Sequence, residues 1–135
     1  YVLTEFLPGD DFRKIQGALY EMKCEGYLPI LAHAERSECL YKNIDYIEEL
    51  ANMGIKIQIN AGSIAGHQGL GMKWYCKKLM KRNLLHLVGT DAHDMEKRPP
   101  RMDACQKVMT KTMGEDYTRR ILILNPQKII TNEVM

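Results

Sequence analysis

The sequence predicts an α/β fold, a parallel sheet whose strands alternate with crossover helices. Three observations predict it. Short β-rich runs recur at "YVLTEF", "YLPILAH", "IKIQIN" and "LLHLVGT". Longer segments with helical spacing of apolar residues separate them. Capping and stop residues bound those segments where helices must begin and end. The resulting β-α-β-α-β-α-β-α order fits a barrel and an open doubly wound sheet equally well.

Taken in order, "YVLTEF" is a short strand closed by the turn "LPGDD". Asp10 or Asp11 can cap a helix whose apolar positions are Phe12, Ile15, Leu19 and Met22, with Gly26 as its stop. "YLPILAH" is the second strand, and Pro29 places its start near an edge or a bulge. After a polar loop, Asn43 can cap "IDYIEELANM", which Gly54 ends. "IKIQIN" alternates with period two and is the third strand, followed by the glycine-rich loop "AGSIAGHQGLG". A basic amphipathic helix over "MKWYCKKLMKR" leads to the fourth strand, "LLHLVGT". The tail reads as two or three helices, broken at Gly114 and at Asn125-Pro126.

A chain of 135 residues is long enough for one modest domain with a core. Hydrophobic residues at 45% and charged residues at 27% exclude a disordered polymer. The net charge is +2, without a basic stripe interleaved with aromatics, so no nucleic-acid partner is expected. Apolar runs fall far short of the ~20 residues a bilayer span needs, so no membrane insertion is expected. Cys24, Cys39, Cys76 and Cys105 lack C-x-x-C spacing. Free thiols in a reducing cytoplasm are the expectation.

In parallel α/β folds the functional side chains collect where strands end. Here those ends carry Glu5, then His33 and Arg36, then Asn60, then Asp91 and His93 in "GTDAHDMEKRPP", with Arg98 beyond. Carboxylate and imidazole together suit borderline ions such as Mn²⁺, Fe²⁺ or Zn²⁺. Arg36 and Arg98 carry guanidinium forks that match phosphoryl oxygens. Blander readings stand beside these. Asp91 can cap the tail helix, His93 can be a solvated loop residue, and His33 a satisfied core histidine. Glu5 can face solvent and Arg98 can be a turn residue. "CKKLMKR" (Cys76 to Arg82) has C-x5-R spacing, but it holds no glycine and lies on a helix, so it makes no phosphate cradle. The glycines of "AGSIAGHQGLG" match neither the P-loop nor the dinucleotide fingerprint. His67 reads as a loop residue and His86 as a strand-packing one.

The segments "YLPILAHAER", "NMGIKIQINAGSIAG", "LLHLVGTDAHDMEKRPPRM" and "NPQKIITN" resemble, in that order, the bacterial capsule and exopolysaccharide tyrosine-protein phosphatases of the PHP (polymerase and histidinol phosphatase) superfamily. The resemblance spans nearly all of the chain. It implies part of a distorted (β/α)7 TIM-like barrel holding a cluster of divalent metals, Mn²⁺ first, with Fe or Zn as alternatives. It implies hydrolysis of phosphotyrosine on a tyrosine autokinase that controls polysaccharide assembly. By motif, Glu5, His33, Asp91 and His93 would be metal ligands, and Arg36 and Arg98 would hold the phosphate. Glu35 would stand behind the ligands. Water activated by metal, not a thiol, would attack phosphorus.

Two substitutions depart from the family pattern. Ala34 stands where proline is usual, and Asp94 where asparagine is usual. The family opens on a strand ending in His-x-His, whereas this sequence opens on Tyr1-Val2-Leu3. Residues 1–135 are therefore expected to be the C-terminal portion of a single PHP-type domain, with about half of its ligands supplied elsewhere. An unpaired sheet edge is then expected to favour a homo-oligomer. A PHP phosphoesterase acting on a small ester such as histidinol phosphate, and an inactive binding module, are the alternative readings.

Overall fold

The computed structural model describes residues 1–96 and 100–135. The first strand, β1 (Val2–Thr4), runs through a turn into helix α1 (Phe12–Cys24). Both aspartates of that turn are used. The Asp11 carboxylate accepts the Lys14 amide at 3.0 Å and caps the helix, while Asp10 accepts the Leu7 amide at 3.0 Å and pairs with the Lys14 ammonium. Gly26 stops the segment in the left-handed region, φ 89°.

Strand β2 (Pro29–Leu31) leads into a 3-10 turn (Ala34–Arg36), then α2 (Glu38–Lys42) and α3 (Ile44–Asn52). The polar loop expected here therefore contains a 3-10 turn and a short helix. Asn43 caps α3 as expected, accepting the Asp45 amide at 3.1 Å. Strand β3 (Lys56–Asn60) is followed by α4 (Ala61–Ala65) and α5 (Leu70–Lys81), then β4 (Leu87–Gly89). Helices α6 (Asp103–Met113) and α7 (Glu115–Arg119), a π-helical turn (Arg120–Leu124) and α8 (Asn125–Ile130) complete the chain. Among the described residues no helix is long and apolar enough to cross a membrane.

The four strands found among the described residues are parallel, and their order in the sheet is β1-β2-β3-β4. A doubly wound sheet reverses its order at a switch point, whereas here every strand lies beside its neighbour in sequence, as around a barrel wall. The period-two alternation of β3 decides which face is covered. Ile57 and Ile59 are buried with Leu31 beneath Ile15, Leu19, Ile47, Leu50 and Leu79. Full burial of each such side chain stabilises by roughly 1.5–3 kcal/mol. The register Leu3↔Ile30↔Lys56 puts Leu3, Lys56 and Gln58 on the opposite face.

Three local expectations are corrected. Pro29 is not at an edge, because β2 lies between β1 and β3; it is the first residue of its strand, where a missing donor costs least. The "AGSIAG" part of the glycine-rich loop is helical, because Ala61, Ser63 and Ile64 are buried and only Gly66, at φ 98°, needs the left-handed region. Asn125-Pro126 does not break the tail. Arg120 and Asn125 both keep right-handed helical angles, and the wider π turn before Pro126 relieves the clash its ring would make in a regular helix.

His86 proves to be the strand-packing residue the sequence suggested. Its Nδ1 accepts the Ile57 amide at 3.1 Å, and its own amide donates to the Ile57 carbonyl at 3.0 Å. Burial first, and the nearby Lys56 ammonium second, pull the imidazole down to about 4. Below its ordinary value near 6.5 the unfolded chain takes up a proton that the folded chain refuses. Stability from this group is therefore complete above about pH 6.5 and is lost as the pH falls towards 4, by on the order of 2–3 kcal/mol. Denaturant melts at neutral and mildly acidic pH should show the loss, and His86→Asn, which keeps an acceptor near the same place, should flatten it. An unchanged slope in that variant would count against this origin.

Candidate metal and phosphate site

Parallel strands end on the same side, so Glu5 after β1, His33 after β2, Asn60 at the end of β3 and Asp91 after β4 share one rim. Two of these residues sit in left-handed backbone, His33 at φ 31° and Asp91 at φ 54°. That region is costly for a non-glycine residue and is often found where a side chain must be aimed.

At one end of the rim, His33 Nε2 lies 2.9 Å from Glu5 Oε1. The His33 backbone amide donates to Gln58 Oε1 at 3.4 Å. The Gln58 side chain in turn lies against Gly89, the register partner of Asn60, where an added Cβ would stand 1.8 Å from Gln58 Nε2. A bare glycine in β4 thus leaves room for the glutamine that steadies the β2 loop.

At the other end, Asp91 Oδ2 is 2.6 Å from Arg36 Nη2 and accepts the Asn60 side-chain amide at 3.3 Å. His93 Nδ1 is 2.8 Å from the Asp91 carbonyl oxygen. A carbonyl only accepts, so Nδ1 carries the proton and the neutral ring has its lone pair on Nε2. Metal-bound histidines commonly show this backbone tether. Asp91 does not cap the tail, since α6 starts at Asp103.

Behind the rim, Glu35 is 1% exposed. Its Oε1 accepts the Ser63 hydroxyl at 2.6 Å and the Asn60 amide at 3.1 Å. Burial raises its carboxyl above the ordinary range, against the pull of Ser63, backbone amides and the His33 imidazole. Glu35 Oε2 and Asn60 Oδ1 are buried without a hydrogen-bond partner among the described residues. Asn60 therefore stands between two carboxylates, with its main chain on Glu35 and its side chain on Asp91.

The structure thus brings Glu5 to His33, and both Arg36 and His93 to Asp91. Arg98 lies outside the described residues. Gln58 and Ser63 went unnoticed in the sequence; the alternation of "IKIQIN" puts Gln58 on the same face as Asn60, and was the one available signal. The donor set is chemically suited to a divalent ion. Two ligand atoms, each roughly 2.1 Å from one ion and at right angles, stand about 3 Å apart, which is the Glu5–His33 separation. Yet among the described residues no group of three or more His, Cys, Asp or Glu side chains is placed to hold a metal. The rim offers ligand pairs. Cys76, by contrast, is buried in α5, and burial pushes its thiol far above the range where a thiolate forms.

The chain is 31% identical, over 140 residues, to the tyrosine-protein phosphatase CpsB of Streptococcus pneumoniae, a match that covers 100% of this chain and 58% of that protein. It is 30% identical over 136 residues to the tyrosine-protein phosphatase YwqE of Bacillus subtilis, covering 100% of this chain and 53% of that protein. The chain therefore spans about half the length of the curated relatives it matches. Crystal structures of YwqE and CpsB, described as unique metal-dependent tyrosine phosphatases, include a chain that superposes with a TM-score of 0.89 at 27% identity, over 97% of this chain and 53% of that one. The family model for capsular polysaccharide synthesis, CpsB/CapC, matches residues 1–131. With the rim geometry and this span of similarity together, the chain belongs to the CpsB/CapC family.

Proposed function

We propose that this rim takes part in metal-dependent hydrolysis of phosphotyrosine on a protein, a tyrosine autokinase of polysaccharide assembly, in the cytoplasm. The observation that carries the reading is the shared rim itself, with an oxygen–nitrogen ligand pair at Glu5 and His33 and a guanidinium held on a carboxylate at Arg36 and Asp91. The named relatives' chemistry supports it.

Glu5, His33, Asp91 and His93 would hold divalent ions, Mn²⁺ first, together with ligands from the rest of a PHP-type domain of which residues 1–135 form the C-terminal portion. Such ions, when bound, polarise a phosphoryl group and acidify water. Arg36 is partly exposed and held by Asp91, so it can meet phosphate oxygens and offset their charge without crossing the rim. Glu35, Ser63 and Asn60 keep the end of β3 fixed behind it. Arg98 is assigned to the same phosphate on its motif alone.

Full-length protein with Mn²⁺ is expected to turn over a phosphotyrosine peptide in preference to histidinol phosphate. A chelator should abolish the turnover and fresh Mn²⁺ restore it, while Cys76→Ser changes nothing. No phosphotyrosine turnover would overturn the proposal, and so would a dead Cys76→Ser enzyme.

A further inference from the structure

Positive charge is unevenly spread along this chain. Residues 50–90 contain no Asp or Glu, yet they hold Lys56, Lys73, Lys77, Lys78, Lys81 and Arg82. Four of these lysines lie on α5 and line a groove of about 690 Å³ between α5 and α6, whose far wall adds Lys111. Among the described residues no acidic side chain lines it. Lys14, Lys42 and Arg82 have carboxylate partners, whereas none of the five groove lysines has an ion pair among the described residues. Trp74 stands in the same groove, 72% exposed, with Lys77 Nζ 5.9 Å from its ring centroid.

Five like charges around one concavity repel one another, and a polyanion laid among them relieves that repulsion. An exposed indole adds an apolar contact of a kind enriched where proteins dock. The surface is concave, which suits an extended peptide better than a flat bilayer. A single tryptophan with no aromatic ladder does not make a nucleic-acid stacking platform. We infer that the α5–α6 groove docks an acidic peptide segment of a partner protein. This contact uses none of the rim residues and needs neither metal nor phosphate.

Trp74 is the only tryptophan in the chain, so its fluorescence reports the groove directly. A short poly-glutamate peptide titrated into metal-free protein at low salt should shift that emission, and added salt should reverse the shift. Lys73→Glu with Lys77→Glu should weaken binding by roughly tenfold or more, and Lys111→Glu on the facing wall should weaken it too. Lys14→Glu with Lys42→Glu makes the same change in net charge elsewhere and should leave binding unaltered. Equal weakening by that control pair would reduce the effect to overall charge and overturn the inference. So would undiminished binding by the groove variants, or binding to phosphatidylserine vesicles without binding to the peptide. Failure of the phosphatase assay would leave this result standing, because the titration involves no turnover.

Discussion

Asp91→Asn in the full-length protein should cost about a hundredfold or more in kcat/KM towards a phosphotyrosine peptide while leaving the fold intact. The fold should survive because asparagine is isosteric and is among the few residues that tolerate the left-handed backbone at φ 54°. What changes is charge. Asp91 Oδ2 now serves the Arg36 guanidinium at 2.6 Å and the Asn60 amide at 3.3 Å. A neutral amide oxygen can occupy that place but cannot balance the guanidinium or bind a cation as a carboxylate does. Metal content separates the two roles. If Asp91 is a ligand, the variant should hold less Mn²⁺ and recover part of its activity at high Mn²⁺. If it only steadies Arg36, metal content stays normal and KM rises. Unchanged turnover together with unchanged metal content would remove Asp91 from the site.

How much of this was legible in the sequence follows from which forces act locally. The alternation of "IKIQIN" and the caps at Asp11 and Asn43 are decided within a few residues, and they appear where the pattern put them. The rim could be listed because parallel strands end on one side, which is a rule of topology. The pairings within it could not. Glu5 meets His33, and Asp91 meets Arg36, only through sheet register and two left-handed residues that no spacing announces. Gln58 looked like the polar half of an alternating strand until Gly89 was placed beside it. The segment "AGSIAG" looked like a loop because burial of Ile64 and Ser63, which overrides its weak local preference, is a tertiary matter. Pro126 misled for a related reason, since the π turn that accommodates it is a packing solution. Strand order settled the choice between a barrel wall and a doubly wound sheet, and order is not written in periodicity.

The same distinction sets the second large effect, at Glu35. Glu35, which the family resemblance sets behind the ligands, is buried and acts as an acceptor for the Ser63 hydroxyl and the Asn60 amide. Glu35→Ala would strand both donors and leave a void, destabilising the protein by roughly 2–4 kcal/mol. Glu35→Gln keeps an oxygen where Oε1 stands and removes a carboxyl whose ionisation burial opposes, so it should stay within about 1 kcal/mol of the parent. Denaturant unfolding of the two variants tests the difference, and an alanine no more harmful than the glutamine would show that these hydrogen bonds do not hold the β3 end. The consequence for chemistry runs through Asn60. Its amide is held by Glu35 and its side chain reaches Asp91, so loosening the first should loosen the second. Glu35→Ala should therefore lose activity beyond what its fraction unfolded explains, whereas Glu35→Gln should retain it. A buried residue that touches neither substrate nor metal would in that way govern where the rim carboxylate points.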